Sequence, residues 1–588
     1  MIAAPNISPC RSVFSMIKPI NSELGAADMI FFNGKVLCLN NKLSFTEAVA
    51  VKNERIMAVG KTSEIKPLVS KYTRSINLQG RTVIPGINDS HIHASLWGST
   101  LPPLALDLRK AKTAGEVLSL IEQAAKVVPT GHWIRGFGLD SFLLGSGFSQ
   151  EALPSLKDLD RVASANPVYL GSMPFHSPTL ALLNTRAIEI LGLKNYLSSN
   201  LGGDICLDHE SGEPTGMVIG NLVNKLVPPL SREEKQQAIL LAMQKLNSYG
   251  ITSITEPGLG PGGHGLFGGL WDNECLHAYT DLMNLHKLTV RVNVLLLFTP
   301  YGTYSPEMML TGLNNTGIHT GFGNEWLRIG GLKLYADGIP PMRTAWMKKN
   351  YPGDGNGKLV FPGSNDAERK SRLSEIIMKA HVLGFQVGIH ATGDQSIACC
   401  VEYFKQAEER YRKNLRHYII HGDFVPKEYA SVMAESKIGV SVQPALAKLF
   451  FPLLESSVGK LLARKHLPIR KLLESGVIIA GGSDAPVTEP DWRLGVASAV
   501  LRRSESAKGR FAKNLSLIEA LKMYTLAGAW LEHMENLKGS LEPGKLADLC
   551  ILDGDLLETE VGKVSQLPIW LTMVGGRIVY QSESAGSL

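Results

Sequence analysis

Six residues between positions 91 and 484 carry the donor types of a metal site: His91 and His93, Lys333, His390, His421 and Asp484. Each lies at or just after the end of a short apolar run that reads as a β-strand. His91 and His93 are two apart, which on a strand turns both imidazoles to the same side. His390 closes FQVGIH and His421 closes HYIIH, in consecutive strand–helix units. Asp484 follows VIIAGGS, where a carboxylate can ligate a metal and also carry a proton as general base and then general acid. Lys333 differs, because an ammonium repels cations. It joins the set only if its amine, deprotonated by burial, takes up CO₂ to become an anionic carbamate. The alternative is a simple ion pair with Asp337, four residues on.

Donors delivered from successive strand ends require an element that gathers strand ends at one rim. Strand runs are read at 83–87, 167–171, 251–256, 291–298, 329–336, 385–390, 417–422, 438–443 and 477–482, with amphipathic helical stretches between many of them. Gly250, Gly384 and Gly476 precede strands where a helix C-terminal glycine belongs. The alternation predicts a parallel sheet closed as a (β/α)₈ barrel. Nine runs for eight places put one of PVYLG, RVNVLLLF or IGGLKLYA outside it. The stretch LIEALKMYTLAGAWL reads as one helix.

Residues 26–82 and 540–588 hold alternating β-rich segments and predict a small β-domain assembled from both ends of the chain. The barrel is assigned 83–539, with an insertion at the rim over about 172–230. Residues 1–25 are expected to be a flexible tail. Gly258-Leu-Gly-Pro-Gly-Gly263 matches G-x-G-x-x-G after a strand, but Pro261 and the glycines that follow offer no helix start for a phosphate, so it is read as a rim loop.

Composition narrows the function classes. With 588 residues, 44% hydrophobic, 19% charged and a net charge of +6, the chain has material for a large core and no basic block for nucleic acid. No apolar run approaches the roughly 18 residues of a membrane span. Seven cysteines without metal-finger spacing read as free thiols in a reducing cytoplasm.

The runs VIPGINDSHIH (83–93), GLKLYADG (331–338), QVGIHATGD (387–394), GGSDAPV (481–487) and GSLEPGKLADLCILDGD (539–555) resemble the amidohydrolase superfamily, and within it the amidohydrolase-3 group of N-substituted formamide deformylase-like metal-dependent hydrolases. The resemblance spans about 27–580. It implies a distorted (β/α)₈ TIM barrel beside a β-sandwich, and one or two divalent metal ions, commonly Zn²⁺. By the same resemblance His91, His93 and Asp484 hold the more buried ion, His390 and His421 the second, and a carboxylated Lys333 bridges them. Arg343, in the loop after the lysine strand, and His176 are the implied substrate-binding residues. The chain departs from the group at Ile339–Met342, at Ile420 and Gly422, and at Pro174-Phe175, none of which removes a ligand.

The expected activity is hydrolysis of a non-peptide C–N bond of a small molecule, such as a linear N-substituted formamide. Asp484 serves as base and acid, and His421 or His176 steadies the carbonyl oxygen. Hydrolysis of a cyclic amide, carbamate or ester on the same site is the alternative, and a catalytically silent binding or signalling scaffold is the alternative of another class. The expected partner is a small-molecule substrate, without nucleic acid or membrane, and a homo-oligomer is compatible with the reading.

Overall fold

The structure is a computed structural model that describes residues 25–140, 153–176, 179–199, 202–299, 304–502 and 515–586. Residues 1–24 of the expected tail lie outside the described residues, as does Cys10. An eight-stranded parallel sheet forms the centre: β1 (Ile87–Asp89), β2 (Ile251–Leu259), β3 (Arg291–Leu296), β4 (Leu327–Tyr335), β5 (Val387–Ala391), β6 (Tyr418–His421), β7 (Gly439–Val442) and β8 (Ile479–Gly481). The strands pair in that order. The Ser90 N–H donates to the Gly481 carbonyl at 3.1 Å and brings β8 back to β1. The fold is a TIM barrel with an additional β-rich unit.

Helices pack where apolar residues recur at three- and four-residue spacing. Ser231 and Glu234 form a reciprocal capping box at the start of Arg232–Ser248, satisfying first-turn N–H groups. Gly250, Gly384 and Gly476 have φ of 77°, 82° and 86°, the left-handed values a helix end takes before a new strand. The stretch expected as one helix is two, Leu517–Met523 and Leu526–Leu531. The break places the Tyr524 carbonyl where it accepts from the Asn88 N–H of β1 at 2.8 Å.

The run read as the first barrel strand is also divided. Thr82–Pro85 lies in a six-stranded sheet and pairs antiparallel with Leu549–Leu552, while the barrel strand begins at Ile87. Gly86 sits at the junction, and a Cβ there would meet the Thr252 Oγ1 at 2.2 Å and Cβ at 2.8 Å. A four-stranded sheet from Met29–Phe32, Ala48–Lys52, Arg55–Gly60 and Arg74–Asn77 faces this one across a core that includes Phe31, Val49, Ile76, Leu549 and Leu571. Residues from both ends of the chain thus share one interior.

PVYLG is the run that leaves the barrel. Val168–Gly171 sits in another six-stranded sheet, whose strands lie between Leu106 and Ile219. The departure from the barrel therefore starts well before position 172. No helix among the described residues is long and apolar enough to cross a membrane. The six described cysteines are all free.

Thr252 is β-branched and buried, so it cannot swing away from a new methyl group at the junction. Gly86→Ala is expected to destabilise the protein by about 1–3 kcal/mol, measured as a lower denaturant midpoint. An unchanged midpoint would show that the junction tolerates a side chain.

Candidate metal centre

All six donors converge at the C-terminal rim of the barrel. His91 and His93 lie just past β1 rather than on it, and Ile92 between them donates its N–H to the Thr255 carbonyl of β2 at 3.0 Å. Ile92 is buried, and the two imidazoles face Asp484: His91 Nε2 is 3.3 Å and His93 Nε2 3.6 Å from its Oδ1. The His91 ring centroid lies 5.5 Å from that of His421, which lies 4.6 Å from that of His390. Ligand atoms of His91, His421 and Asp484 all fall within 4.8 Å of one another.

His421 and Asp484 have φ of 73° and 59°. Left-handed backbone costs a non-glycine residue roughly 1–3 kcal/mol and is concentrated at functional sites. It is retained here by surrounding bonds: the Asp484 N–H donates to the His91 carbonyl at 2.8 Å, and the Val487 N–H to the Asp484 carbonyl at 2.9 Å.

The residues fit a divalent ion by their donor chemistry. Burial, reinforced by neighbouring positive charge, drives the His91 and His421 imidazoles well below their usual range, and burial also lowers His390. Neutral imidazoles are the form that ligates. His421 Nδ1 donates to Gln443 Oε1 at 2.8 Å, which leaves the Nε2 lone pair free. His390 Nε2 donates to the Gly338 carbonyl at 2.9 Å and leaves Nδ1. The buried His91 Nδ1 has no hydrogen-bond partner among the described residues.

Lys333 is 1% exposed, its Nζ 4.6 Å from the Tyr335 ring centre. Burial pulls its ammonium down to about 7, against the upward pull of the Asp484 charge. Asp337 is occupied elsewhere: its oxygens accept from the N–H groups of Trp346 (2.8 Å), Thr392 (3.0 Å) and Gly393 (2.9 Å) and from the Ser396 hydroxyl (2.6 Å). Asp337 thus ties together the loops after β4 and β5.

The two expected substrate contacts are placed differently. His176 is half-buried and uses both nitrogens on protein, Nδ1 at 2.9 Å from Asp140 Oδ2 and Nε2 at 3.2 and 3.1 Å from the Pro486 and Val487 carbonyls. It fastens the 106–219 unit to the loop carrying Asp484. Arg343 is exposed, with φ of 58°, at the tip of the loop after β4.

Three supporting residues escaped the sequence reading. Glu256, at the end of ITSITE, accepts from the Ala94 and Ser95 N–H groups (2.9 and 3.2 Å), the Ser95 hydroxyl (2.9 Å) and the Tyr279 hydroxyl (2.8 Å), and so fixes the turn after His93. Asp89 accepts from the His91 and Ser483 N–H groups at 3.1 and 3.0 Å, joining the loops of β1 and β8. Burial raises both carboxyls to about 7. Gln443 is the third. A carboxylate inside an apolar strand was the available signal for the first two, since such a group must find donors. The glycine-rich loop at 258–263 leads to Trp271, whose ring stacks on His93 at 4.9 Å between centroids.

A TIM barrel that gathers histidines, a carboxylate and a buried lysine at its C-terminal rim defines the metal-dependent hydrolase class. Residues 74–580 match the profile of the Amidohydrolase family, and the chain belongs to that family. It is 28% identical over 584 residues to Protein LONG AFTER FAR-RED 3 of Arabidopsis thaliana, covering 96% of this chain and 94% of that one. It is 24% identical over 583 residues to the N-substituted formamide deformylase of Arthrobacter pascens, covering 94% and 98%. An uncharacterized metal-dependent hydrolase from Pyrococcus furiosus shares the fold, with a TM-score of 0.71 at 24% identity over 90% of this chain and 100% of the other.

Loss of the Gln443 acceptor frees the His421 ring to turn. Gln443→Leu is expected to weaken metal affinity about 10–100-fold, measured by competition with a chromogenic chelator. Parent-like affinity would show that Gln443 does not orient His421.

Proposed function

We propose that the protein hydrolyses a linear amide of a small molecule, with an N-substituted formamide as the leading substrate class, on a Zn²⁺ centre held by His91, His93, His390, His421 and Asp484. The observation that carries this reading is Asp484 Oδ1, which lies within 3.6 Å of two imidazoles at the open end of the barrel. Nitrogen and carboxylate donors suit zinc. A bound divalent ion would bring the pKa of a coordinated water into the neutral range and polarise the substrate carbonyl.

The chain's own residues do the rest. The Asp484 carboxylate is close enough to the ligands to take a proton from the attacking water and pass it to the leaving nitrogen. His421, whose Nδ1 is committed to Gln443, holds Nε2 toward the same space, where it ligates or steadies the carbonyl oxygen. The Lys333 amine, brought by burial to about 7, would release a proton on taking up CO₂ and would then offer an anionic carbamate as a further ligand. The named reaction of the Arthrobacter relative supports the formamide class, and its near-complete coverage extends that support across both domains.

The protein purified with its metal is expected to contain Zn²⁺ and to release formate from N-substituted formamides. His91→Ala with His93→Ala is expected to lose both metal and turnover. Formamide turnover by a metal-free double variant would sink the ligand assignment. Absence of tightly bound metal, with no amide hydrolysis after zinc is restored, would sink the enzymatic reading. ¹³CO₂ labelling is expected to give a carbamate carbon signal that disappears in Lys333→Ala.

A further inference from the structure

Behind the rim, a cavity of about 800 Å³ opens between the loops that follow β4, β5 and β6 and the helices Lys460–Ala463 and Ile469–Glu474. None of the six metal-site residues lines it. Its volume falls in the range of small-molecule sites, about 300–1,000 Å³.

The charge of its walls is one-sided. Lys348, Lys349, Lys427, Arg464, Lys465 and Lys471 line it, and none has an ion-pair partner among the described residues. Two further cations are engaged: Arg470 with Glu519 at 2.9 Å, and Arg502 with the His466 carbonyl. Among the described lining residues these eight face two carboxylates, Asp394 and Glu428, and Asp394 accepts the Lys348 backbone N–H at 2.6 Å. The whole chain carries 60 cations to 54 carboxylates, so this imbalance is local. Concave walls of one sign concentrate the field and attract counter-charge. The same cavity has an apolar floor: the exposed Leu461 and the half-buried Leu462 and Pro468 line it together with the buried Phe424, Leu467, Ile469 and Leu472.

Such a site suits one chemistry. A bare inorganic anion would leave the apolar floor uncovered, and a neutral apolar ligand would leave the cations uncompensated. An organic phosphate with two or more charges and an apolar or aromatic body meets both surfaces, because ammonium and guanidinium groups bind phosphate oxygens with charge-assisted hydrogen bonds.

The cavity is also joined to the metal centre. Phe424 follows His421 by three residues and Asp394 follows His390 by four. The buried His466 lies with Nε2 3.2 Å from Asp423 Oδ1, and the Leu467 N–H donates to the Asp423 carbonyl at 2.6 Å. The cavity wall and the His421 loop are therefore one hydrogen-bonded piece.

We propose that this cavity is a second ligand site, separate from the metal centre, for an organic phosphate carrying at least two negative charges on an apolar body. ADP is the test ligand, compared with inorganic pyrophosphate (charge alone) and adenosine (body alone), by calorimetry on the metal-loaded protein at physiological ionic strength. ADP is expected to bind saturably and at least tenfold tighter than either control. Lys349→Glu combined with Lys465→Glu is expected to weaken ADP at least tenfold while metal content and Tm stay at the parent values. If that pair fails to fold, Lys349→Gln with Lys465→Gln is expected to weaken it about threefold. The proposal is overturned if ADP does not bind, if pyrophosphate binds as tightly, or if the folded charge variants bind ADP like the parent.

Discussion

The seam between β8 and β1 is where the first and last strands of the barrel must meet, and its hydrogen bonds run through the peptide groups of the proposed ligands themselves. The Asp484 N–H donates to the His91 carbonyl, the His93 N–H to the Ala485 carbonyl at 2.9 Å, and the Ser90 N–H to the Gly481 carbonyl. Asp89 adds a carboxylate that takes one N–H from each side. Closing the barrel and bringing Asp484 against the two histidines are therefore the same event. The left-handed backbone at Asp484 follows from this, because the turn must reverse within a few residues to offer both its amide and its side chain to the β1 loop.

Burial then sets the protonation of the site. Removal from water is the largest cause that lowers the four imidazoles and Lys333. The imidazoles are kept as lone-pair donors, and the lysine is held near the point where it loses its proton. Asp337, the carboxylate four residues from Lys333, is kept busy by backbone and hydroxyl donors from the loops after β4 and β5. Fixed hydrogen-bond donors thus spare the one lysine that the chemistry needs.

The barrel and the convergence of the six donors were legible because both rest on short-range patterns, apolar runs ending in His or Asp and helices with capped ends. What was not legible depends on distance. VIPGI looks like one strand, but Gly86 divides it because the Thr252 side chain of another strand leaves no room for a Cβ. LIEALKMYTLAGAWL has unbroken helical periodicity, yet Asn88, more than 400 positions away, claims the Tyr524 carbonyl. PVYLG is apolar enough for a barrel interior, and only its pairing with Ile134–Phe137 and Leu180–Leu183 shows that it lies elsewhere. His176 was singled out by the family resemblance, which says nothing of its contacts, and these lie with Asp140 and two carbonyls some 310 residues on.

The pairing of Thr82–Pro85 with Leu549–Leu552 has a temporal meaning as well as a spatial one. A chain made from its N-terminus exposes Thr82–Pro85 early, with one edge unpaired, and its partner emerges only after the whole barrel has been synthesised. Domains otherwise tend to fold as they emerge. Here the strand six residues before His91 waits for the end of the chain. The candidate metal centre is thus completed late, and a chain interrupted before Leu549 carries all six donors without the strand that pairs with the one leading to the first two.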